Sequence, residues 1–166
     1  MMNRLDILKR RNKGKTKIKA YRNLFEDLPD KIWFDLEETD SILKMHQQNL
    51  KESTIRETEY VDGKAIFIES DLLREVYTKL QMDSNSYIFT DDYRYCGLFL
   101  TNSKSAFQIA FDIAKKDNGN TSFIIDEEFK FSFTINYYDS THNDYPNKFD
   151  IQRVLKRNSL DGNGSE

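Results

Sequence analysis

The sequence feature that most constrains the fold is a strict alternation of apolar and polar residues from 129 to 137. Successive side chains of an extended chain point to opposite faces, so this pattern predicts a strand with one buried face. The residues between the apolar positions are polar, so we expect the opposite face of the sheet to be partly in contact with water. The predicted buried residues are Phe129, Phe131, Phe133, Ile135 and Tyr137.

Further strands are predicted around this one. The apolar run at 121–125 is separated from it by the polar residues 126–128, a break of hairpin-loop length, so the two segments predict a hairpin. Apolar runs at 87–90 and 96–101 predict two more strands, joined by a polar and aromatic loop at 91–94.

A helix is predicted between these two pairs of strands. Asn102 or Ser103 is its candidate N-cap, Lys115 and Lys116 lie in its last turn, and Gly119 follows its end. The order β-β-α-β-β then predicts a sheet with a helix packed on one face. The apolar stripe of this helix consists of Ala106, Phe107, Ala110, Ile113 and Ala114.

The remaining segments add helices and a second hairpin. An Asp62-Gly63 turn signal predicts a hairpin within 55–68, and Ser70 caps a helix that reaches Leu80. A further short helix is predicted at 149–156. Together these features predict an α+β fold, with a mainly antiparallel sheet of about six strands packed with helices and a helical N-terminal third. The helices of that third are predicted at 4–11, 15–28 and 37–50.

The charge of the chain is unevenly distributed. Residues 1–22 contain nine Lys or Arg and one acid, a net charge of +8, whereas residues 23–147 contain 12 basic and 24 acidic residues, a net charge of -12. The total of 166 residues fits one domain. We therefore predict a single α+β domain at 1–157 with a basic helical N-terminal arm (1–22), followed by a disordered polar tail at 158–166.

Residues that carry catalysis or bind metals are scarce. Cys96 is the one cysteine and lies in a predicted strand, which indicates a buried free thiol, and His46 and His142 fit no zinc spacing. Ser140, His142 and Asp144 alternate in a polar loop and are the weak candidates for an acid-base site. We therefore expect no enzyme activity, no cofactor and no metal. No apolar run approaches the roughly 20 residues of a membrane span, so we expect no membrane partner and a cytoplasmic location.

Carboxylates interleave with tyrosines in predicted loops and at predicted strand ends. Tyrosine offers a large contact area at low entropic cost, and carboxylates attract a basic partner and speed its encounter. The alternative is that these residues only cover an edge of the sheet. The predicted partner-binding residues are Asp91, Asp92, Tyr93, Tyr95, Tyr137, Tyr138, Asp139, Asp144 and Tyr145.

Three stretches carry a resemblance to a known group of proteins: YIFTDDYRYCGLFLTN at 87–102, NTSFIID at 120–126 and FSFTINYYD at 131–139. They resemble the small YxiF-like proteins of Gram-positive bacteria, which are in turn similar to immunity proteins encoded beside polymorphic or contact-dependent toxins. The resemblance covers the C-terminal part of the chain and leaves out the basic arm. It implies a cytosolic protein without enzyme activity that binds one toxin domain and blocks its active site or another essential surface.

Two functional hypotheses follow. The first is an immunity protein that neutralises a cognate bacterial toxin domain, with a basic nuclease as the leading candidate, through the acidic, tyrosine-bearing surface. The alternative is a nucleic-acid-binding regulatory protein in which the Lys and Arg residues of the N-terminal arm neutralise phosphates. The immunity hypothesis uses the acidic body, and the nucleic-acid hypothesis uses the basic arm. The nucleic-acid hypothesis predicts salt-sensitive binding to DNA or RNA that is lost when the arm is removed.

Overall fold

The computed structural model describes residues 3–50, 54–62, 71–79, 84–144 and 146–156. Within these ranges the chain forms six helices and seven strands. The helices are α1 (Arg4–Gly14), α2 (Ile18–Leu24), α3 (Leu36–Leu50), α4 (Asp71–Lys79), α5 (Tyr93–Cys96) and α6 (Ser103–Lys116). The strands are β1 (Ile32–Phe34), β2 (Thr54–Asp62), β3 (Asn85–Thr90), β4 (Leu98–Asn102), β5 (Thr121–Asp126), β6 (Phe131–Tyr138) and β7 (Lys148–Lys156).

The seven strands form one sheet in the order β1-β4-β3-β5-β6-β7-β2. Every neighbouring pair is antiparallel. The helical N-terminal part and the antiparallel sheet confirm the predicted α+β class. The predicted hairpin is also confirmed, since β5 pairs directly with β6.

The first face of the sheet carries the larger core, with α6 packed across its centre. The predicted apolar stripe of α6 is buried there, and the ring of Phe107 meets that of Phe133 edge-on, 5.1 Å away. The predicted N-cap is confirmed, because the Asn102 side chain accepts a hydrogen bond from a first-turn N–H at 3.0 Å. On the same face, the Tyr21 hydroxyl of α2 donates a hydrogen bond to the carbonyl oxygen of Gly97 at 2.7 Å. The N-terminal helices are thus tied to the body by buried contacts.

The second face of the sheet is apolar over one half and polar over the other. α3 covers β4, β3 and β5, where Ile42 packs among buried aromatic and aliphatic side chains. Phe89 of β3 pairs with Phe123 of β5, which pairs with Thr134 of β6. Across the second face, the side chains of these paired residues therefore change from apolar to polar between β5 and β6. The polar residues of β6 are partly exposed, as the alternation predicts.

The predicted helix at 149–156 is wrong, because these residues form β7. Phe149, Ile151 and Leu155 are buried and Gln152 is exposed, which is the alternation of a strand. β7 pairs with β6 on one side and with β2 on the other. These long-range pairings satisfy its backbone and override the local pattern, in which two adjacent apolar residues favour a helix.

Smaller differences concern the ends of predicted segments. Phe129 is predicted on the same face as Phe131, but it has φ 59° in the turn before β6, and its ring lies 6.3 Å from Tyr87 on the second face. The strand β1 and the helical turn α5 have no counterpart in the predictions. The predicted strand at 65–68 and the tail at 158–166 lie outside the described residues.

Candidate functional site at one end of the sheet

The predicted partner-binding residues lie at one end of the sheet, formed by the segments that follow β3 and β6 and precede β5 and β7. We call it the acidic end. These four strands are neighbours, and one loop joins β6 to β7, so three segments lie side by side at this end. Tyr145 lies outside the described residues. The exposed carboxylates at this end are Asp62, Asp91, Asp139 and Asp144.

Asp92 and Tyr95 hold the basic arm against the body. Lys17 Nζ lies 2.5 Å from Asp92 Oδ1, and this hydrogen bond raises the pKa of Lys17. The same ammonium group lies 5.7 Å from the centroid of the Tyr95 ring. Gly14 permits the close packing of α1 on α5, because an added Cβ would lie 2.3 Å from the carbonyl oxygen of Tyr95. These two predicted partner-binding residues are therefore engaged within the chain.

Tyr137 and Tyr138 are half-buried at the end of β6, where internal contacts fix their rings. The Tyr137 hydroxyl donates a hydrogen bond to Asn147 Oδ1 at 3.3 Å, and its ring centroid lies 5.0 Å from that of Phe149. The Tyr138 hydroxyl donates to Asp150 Oδ2 at 3.5 Å. Side chains that are fixed before binding lose little conformational entropy when a partner arrives.

Asp139 and Asp144 flank His142 in the loop between β6 and β7. Asp139 Oδ1 accepts hydrogen bonds from the hydroxyl and the backbone N–H of Thr141, at 2.5 Å and 2.9 Å, and these bonds lower the pKa of Asp139. His142 Nδ1 accepts a hydrogen bond from the backbone N–H of Asp144 at 3.3 Å. A catalytic carboxylate orients an imidazole through its side chain, whereas Asp144 contacts His142 through its backbone. The weak acid-base candidate that includes Ser140 thus has the geometry of a turn.

A third carboxylate lies beside Asp91 and Asp92 at the acidic end. Asp117 is only 7% exposed, and its Oδ2 atom has no hydrogen-bond partner. A Cβ added at Gly119 would lie 3.2 Å from Asp117 Oδ2 and 3.4 Å from Asp91 Oδ2, so the two carboxylates border the same small space. Burial raises the pKa of Asp117, and the negative charges of Asp92 and Asp91 raise it further. We call Asp91, Asp92 and Asp117 the carboxylate corner.

We expect the substitution Asp117→Asn to stabilise the protein at neutral pH. Because the folded-state pKa of Asp117 lies above its reference value of 3.8, its contribution to stability is full below that value and is lost as the pH rises through the folded-state pKa. An amide keeps the oxygen that accepts from backbone N–H groups but does not ionise. The gain in the free energy of unfolding should be on the order of 1 kcal/mol near pH 7.

Thermal unfolding of both proteins between about pH 3 and about pH 7 measures this effect. The advantage of Asp117→Asn should shrink as the pH falls. The exposed neighbour Asp144 provides the control, since Asp144→Asn should change the stability little. A variant that is less stable than the natural protein near neutral pH would contradict the cost we assign to the buried carboxylate.

A cleft of about 650 Å³ opens on the second face, beside the carboxylate corner. Its aromatic wall contains Phe89 and Phe123, whose rings stack with centroids 5.0 Å apart, and Tyr93, whose ring meets Phe89 edge-on at 5.0 Å. Ser132 and Thr134 of β6 lie on its polar side. This volume lies within the usual range of ligand pockets, roughly 300–1,000 Å³. The predicted partner-binding residues that line the cleft are Asp91, Asp92, Tyr93 and Tyr95.

His46 of α3 also lines this cleft. Its Nδ1 atom is buried without a hydrogen-bond partner, and burial lowers the pKa of the imidazole, which favours the neutral ring. The ring stacks on Phe129 with centroids 6.2 Å apart. Since its Nδ1 atom is buried, the imidazole contributes the surface of its ring to the cleft.

The sequence does not identify the cleft, although one signal for it exists. The run at 123–125 is continuously apolar, which is typical of a strand buried on both faces, whereas β6 alternates. These two strands are neighbours in the predicted hairpin. The element that packs on the second face must therefore cover β5 and end before β6. The position of α3, which brings His46 to that boundary, depends on tertiary packing that no local pattern shows.

The described ranges do not meet the requirements of a metal site, of a reactive cysteine or of a membrane-spanning helix. No group of three His, Cys, Asp or Glu side chains there is arranged to hold a metal ion. Cys96 is buried, as predicted, and burial raises the pKa of its thiol to about 11, which disfavours the reactive thiolate. Among the described helices, none has the length and hydropathy of a membrane span.

Comparisons of the chain with protein-family models, with curated proteins and with solved structures found no match. The resemblance of 87–102, 120–126 and 131–139 to YxiF-like immunity proteins therefore stays a prediction from the sequence.

Proposed function

We propose that this protein is an immunity protein that binds a basic bacterial toxin domain at the acidic end and thereby neutralises it. The observation that carries the proposal is the grouping of Asp91, Asp139 and Asp144, exposed carboxylates from two separate segments, at one end of the sheet. Within the described residues, no Lys or Arg forms an ion pair with any of them. Unpaired surface carboxylates attract a positively charged partner and speed its association.

The tyrosines of the acidic end supply the contact area that charge alone does not give. Tyr93, Tyr137 and Tyr138 are each half-buried, so part of every ring stays available to a partner. Large rigid rings of this kind are common among the residues that dominate the binding energy of an interface. A surface that combines such rings with unpaired carboxylates is suited to a basic protein domain.

Co-purification with a toxin domain tests the proposal. The domain is taken from the toxin gene that neighbours the gene for this protein, and both proteins are produced together in bacteria. We expect a stable complex in size-exclusion chromatography and normal growth of cells that make both proteins. The proposal fails if the toxin domain elutes alone and still stops growth when this protein is present.

The alternative, a nucleic-acid-binding regulator, relies on the cations of the N-terminal arm. Several of these cations are engaged within the chain: Arg10 forms two hydrogen bonds to the carboxylate of Asp40, at 2.6 Å and 3.1 Å, and Arg11 lies 3.7 Å from Asp35. Lys17 is held in the same way at the acidic end. Cations that neutralise acids of the body are less available to phosphates, which favours the immunity proposal over this alternative.

A further inference from the structure

We propose that the cleft beside the carboxylate corner is an anchor pocket for the guanidinium group of one arginine side chain of the basic partner. The inference rests on the proposed function, because it names the chemical group by which that partner is held. It assigns a ligand class to the aromatic wall and to the unused polar groups of the cleft.

Four charged side chains line the cleft, Asp91, Asp92, Lys17 and Arg94. The negative charge available to a partner there is that of Asp91. The carboxylate corner contains three carboxylates, Asp91, Asp92 and Asp117, and Lys17 forms an ion pair with only one of them. Asp91 is exposed at the mouth of the cleft and has no ion-pair partner among the described residues. A cation at the mouth offsets the repulsion between these carboxylates, whereas an anion increases it.

The aromatic wall favours a planar cation. Phe123 and Tyr93 are half-buried, so their rings contribute surface to the cleft. A guanidinium group is planar and weakly hydrated and stacks on aromatic faces, whereas an ammonium group is compact and strongly hydrated. The chain's own Arg94, which also lines the cleft, makes such a contact with Tyr93: its Cζ lies 5.7 Å from the Tyr93 ring centroid and its Nε donates to the Tyr93 hydroxyl at 3.2 Å. Phe123 is therefore the ring that the wall offers to the guanidinium group of a partner.

The polar groups of the cleft complete the match. The hydroxyl groups of Ser132 and Thr134 form no hydrogen bond with other described residues. A guanidinium group carries five N–H donors and no acceptor. Its N–H groups can therefore donate to the Asp91 carboxylate and to the hydroxyl oxygens of Ser132 and Thr134 while its plane rests on the aromatic wall.

The pocket is tested with small probes on the intact chain. The probe is N-acetyl-arginine methylamide, titrated into ¹⁵N-labelled protein and followed by two-dimensional NMR. We expect the largest shift changes at the backbone N–H groups of Asp91, Phe123 and Thr134. N-acetyl-citrulline methylamide has nearly the same shape without the charge and should bind at least about fivefold more weakly.

Two variants make the test specific. Asp91→Asn should weaken binding of the arginine probe about fivefold, because it removes the unpaired carboxylate at the mouth. Asp139→Asn removes a charge from the same end of the sheet outside the cleft and should leave the affinity nearly unchanged. Equal affinity for the arginine and citrulline probes, shift changes confined to residues outside the cleft, or an unaltered affinity of Asp91→Asn would each overturn the inference.

The outcomes separate this inference from the proposed function. If the arginine probe binds in the cleft as described and no toxin complex forms, the pocket is supported and the proposed function fails. If the toxin complex forms and the probe does not enter the cleft, the proposed function is supported and the anchor pocket is overturned.

Discussion

Replacing Arg153 by alanine is expected to lower the free energy of unfolding by about 3 kcal/mol, because it removes a buried side chain whose guanidinium group pairs with two partly exposed carboxylates. Arg153 lies on β7 and is 3% exposed. Its Nε donates to Glu57 of β2 at 2.9 Å, and its Nη1 donates to Glu75 of α4 at 2.8 Å and to the carbonyl oxygen of Leu72 at 3.2 Å. The side chain therefore joins β7, β2 and α4, and its loss leaves two carboxylates without their shared cation.

Urea unfolding of Arg153→Ala and of the natural protein measures this effect. Arg74→Ala is the matched control, because Arg74 pairs with Asp71 in the first turn of the same helix, α4, and its side chain is 54% exposed. Exposed pairs contribute little, so the control should change the stability by no more than about 0.5 kcal/mol. If Arg153→Ala lowers the free energy of unfolding as little as Arg74→Ala does, the contacts of Arg153 do not hold β7, β2 and α4 together.

The elements that the sequence predicts best are those whose side chains follow one local period. The alternation in 131–137 predicts both the strand β6 and its polar second face. The helix α6 has its cap, its apolar stripe and its terminal lysines within one continuous segment, and all three predicted features appear in the structure. Local patterns suffice in these cases because the period and the end signals agree with the tertiary environment.

β7 shows where local patterns fail. Its buried first face contains Arg153, a residue type that is usually exposed to solvent. Val154 on its second face and Leu155 on its first face are adjacent in sequence, so two apolar residues follow each other. The acids that make the burial of Arg153 possible are Glu57 and Glu75, which are distant in sequence. A charged residue at a buried strand position hides the alternation, and only the paired structure restores it.

The candidate site was predicted in part. The segments that the sequence predicts for partner binding meet at one end of the sheet. It does not show that Asp92 and Tyr95 are occupied by the basic arm, because Lys17 reaches Asp92 from 75 positions away. It also misses Asp117, which reads as a polar residue at a helix end and lies buried beside Asp91. Contacts between distant segments thus divide the predicted surface into an engaged part and an available part.

The second large effect follows from the proposed immunity function and is expected on the rate of association with the proposed toxin domain. Asp91→Asn combined with Asp144→Asn removes two unpaired carboxylates from the acidic end and leaves their size nearly unchanged. Rim charges act mainly on the encounter of two proteins, so the association rate constant at low salt should fall on the order of fivefold. The dissociation rate constant should rise through the loss of the Asp91 carboxylate from the cleft, while the doubly substituted protein keeps the tyrosine rings of the acidic end.

A control with the same change in net charge separates a local effect from a general one. Glu127 and Glu128 are exposed at the opposite end of the sheet, in the loop between β5 and β6. Glu127→Gln combined with Glu128→Gln should lower the association rate constant much less than the pair at the acidic end. If both pairs of substitutions lowered the association rate constant equally, the total charge of the protein, and not its position at the acidic end, would set the rate.

The most direct test of the central claim is the salt dependence of this association, measured by stopped-flow fluorescence with the toxin domain from the neighbouring gene. We predict that the association rate constant of the natural protein falls steeply as salt rises. For the doubly substituted protein, with Asn at 91 and 144, the association rate constant should be lower at low salt and should fall less as salt rises. Identical rates and identical salt dependence for the two proteins would contradict the claim that the acidic end receives the partner.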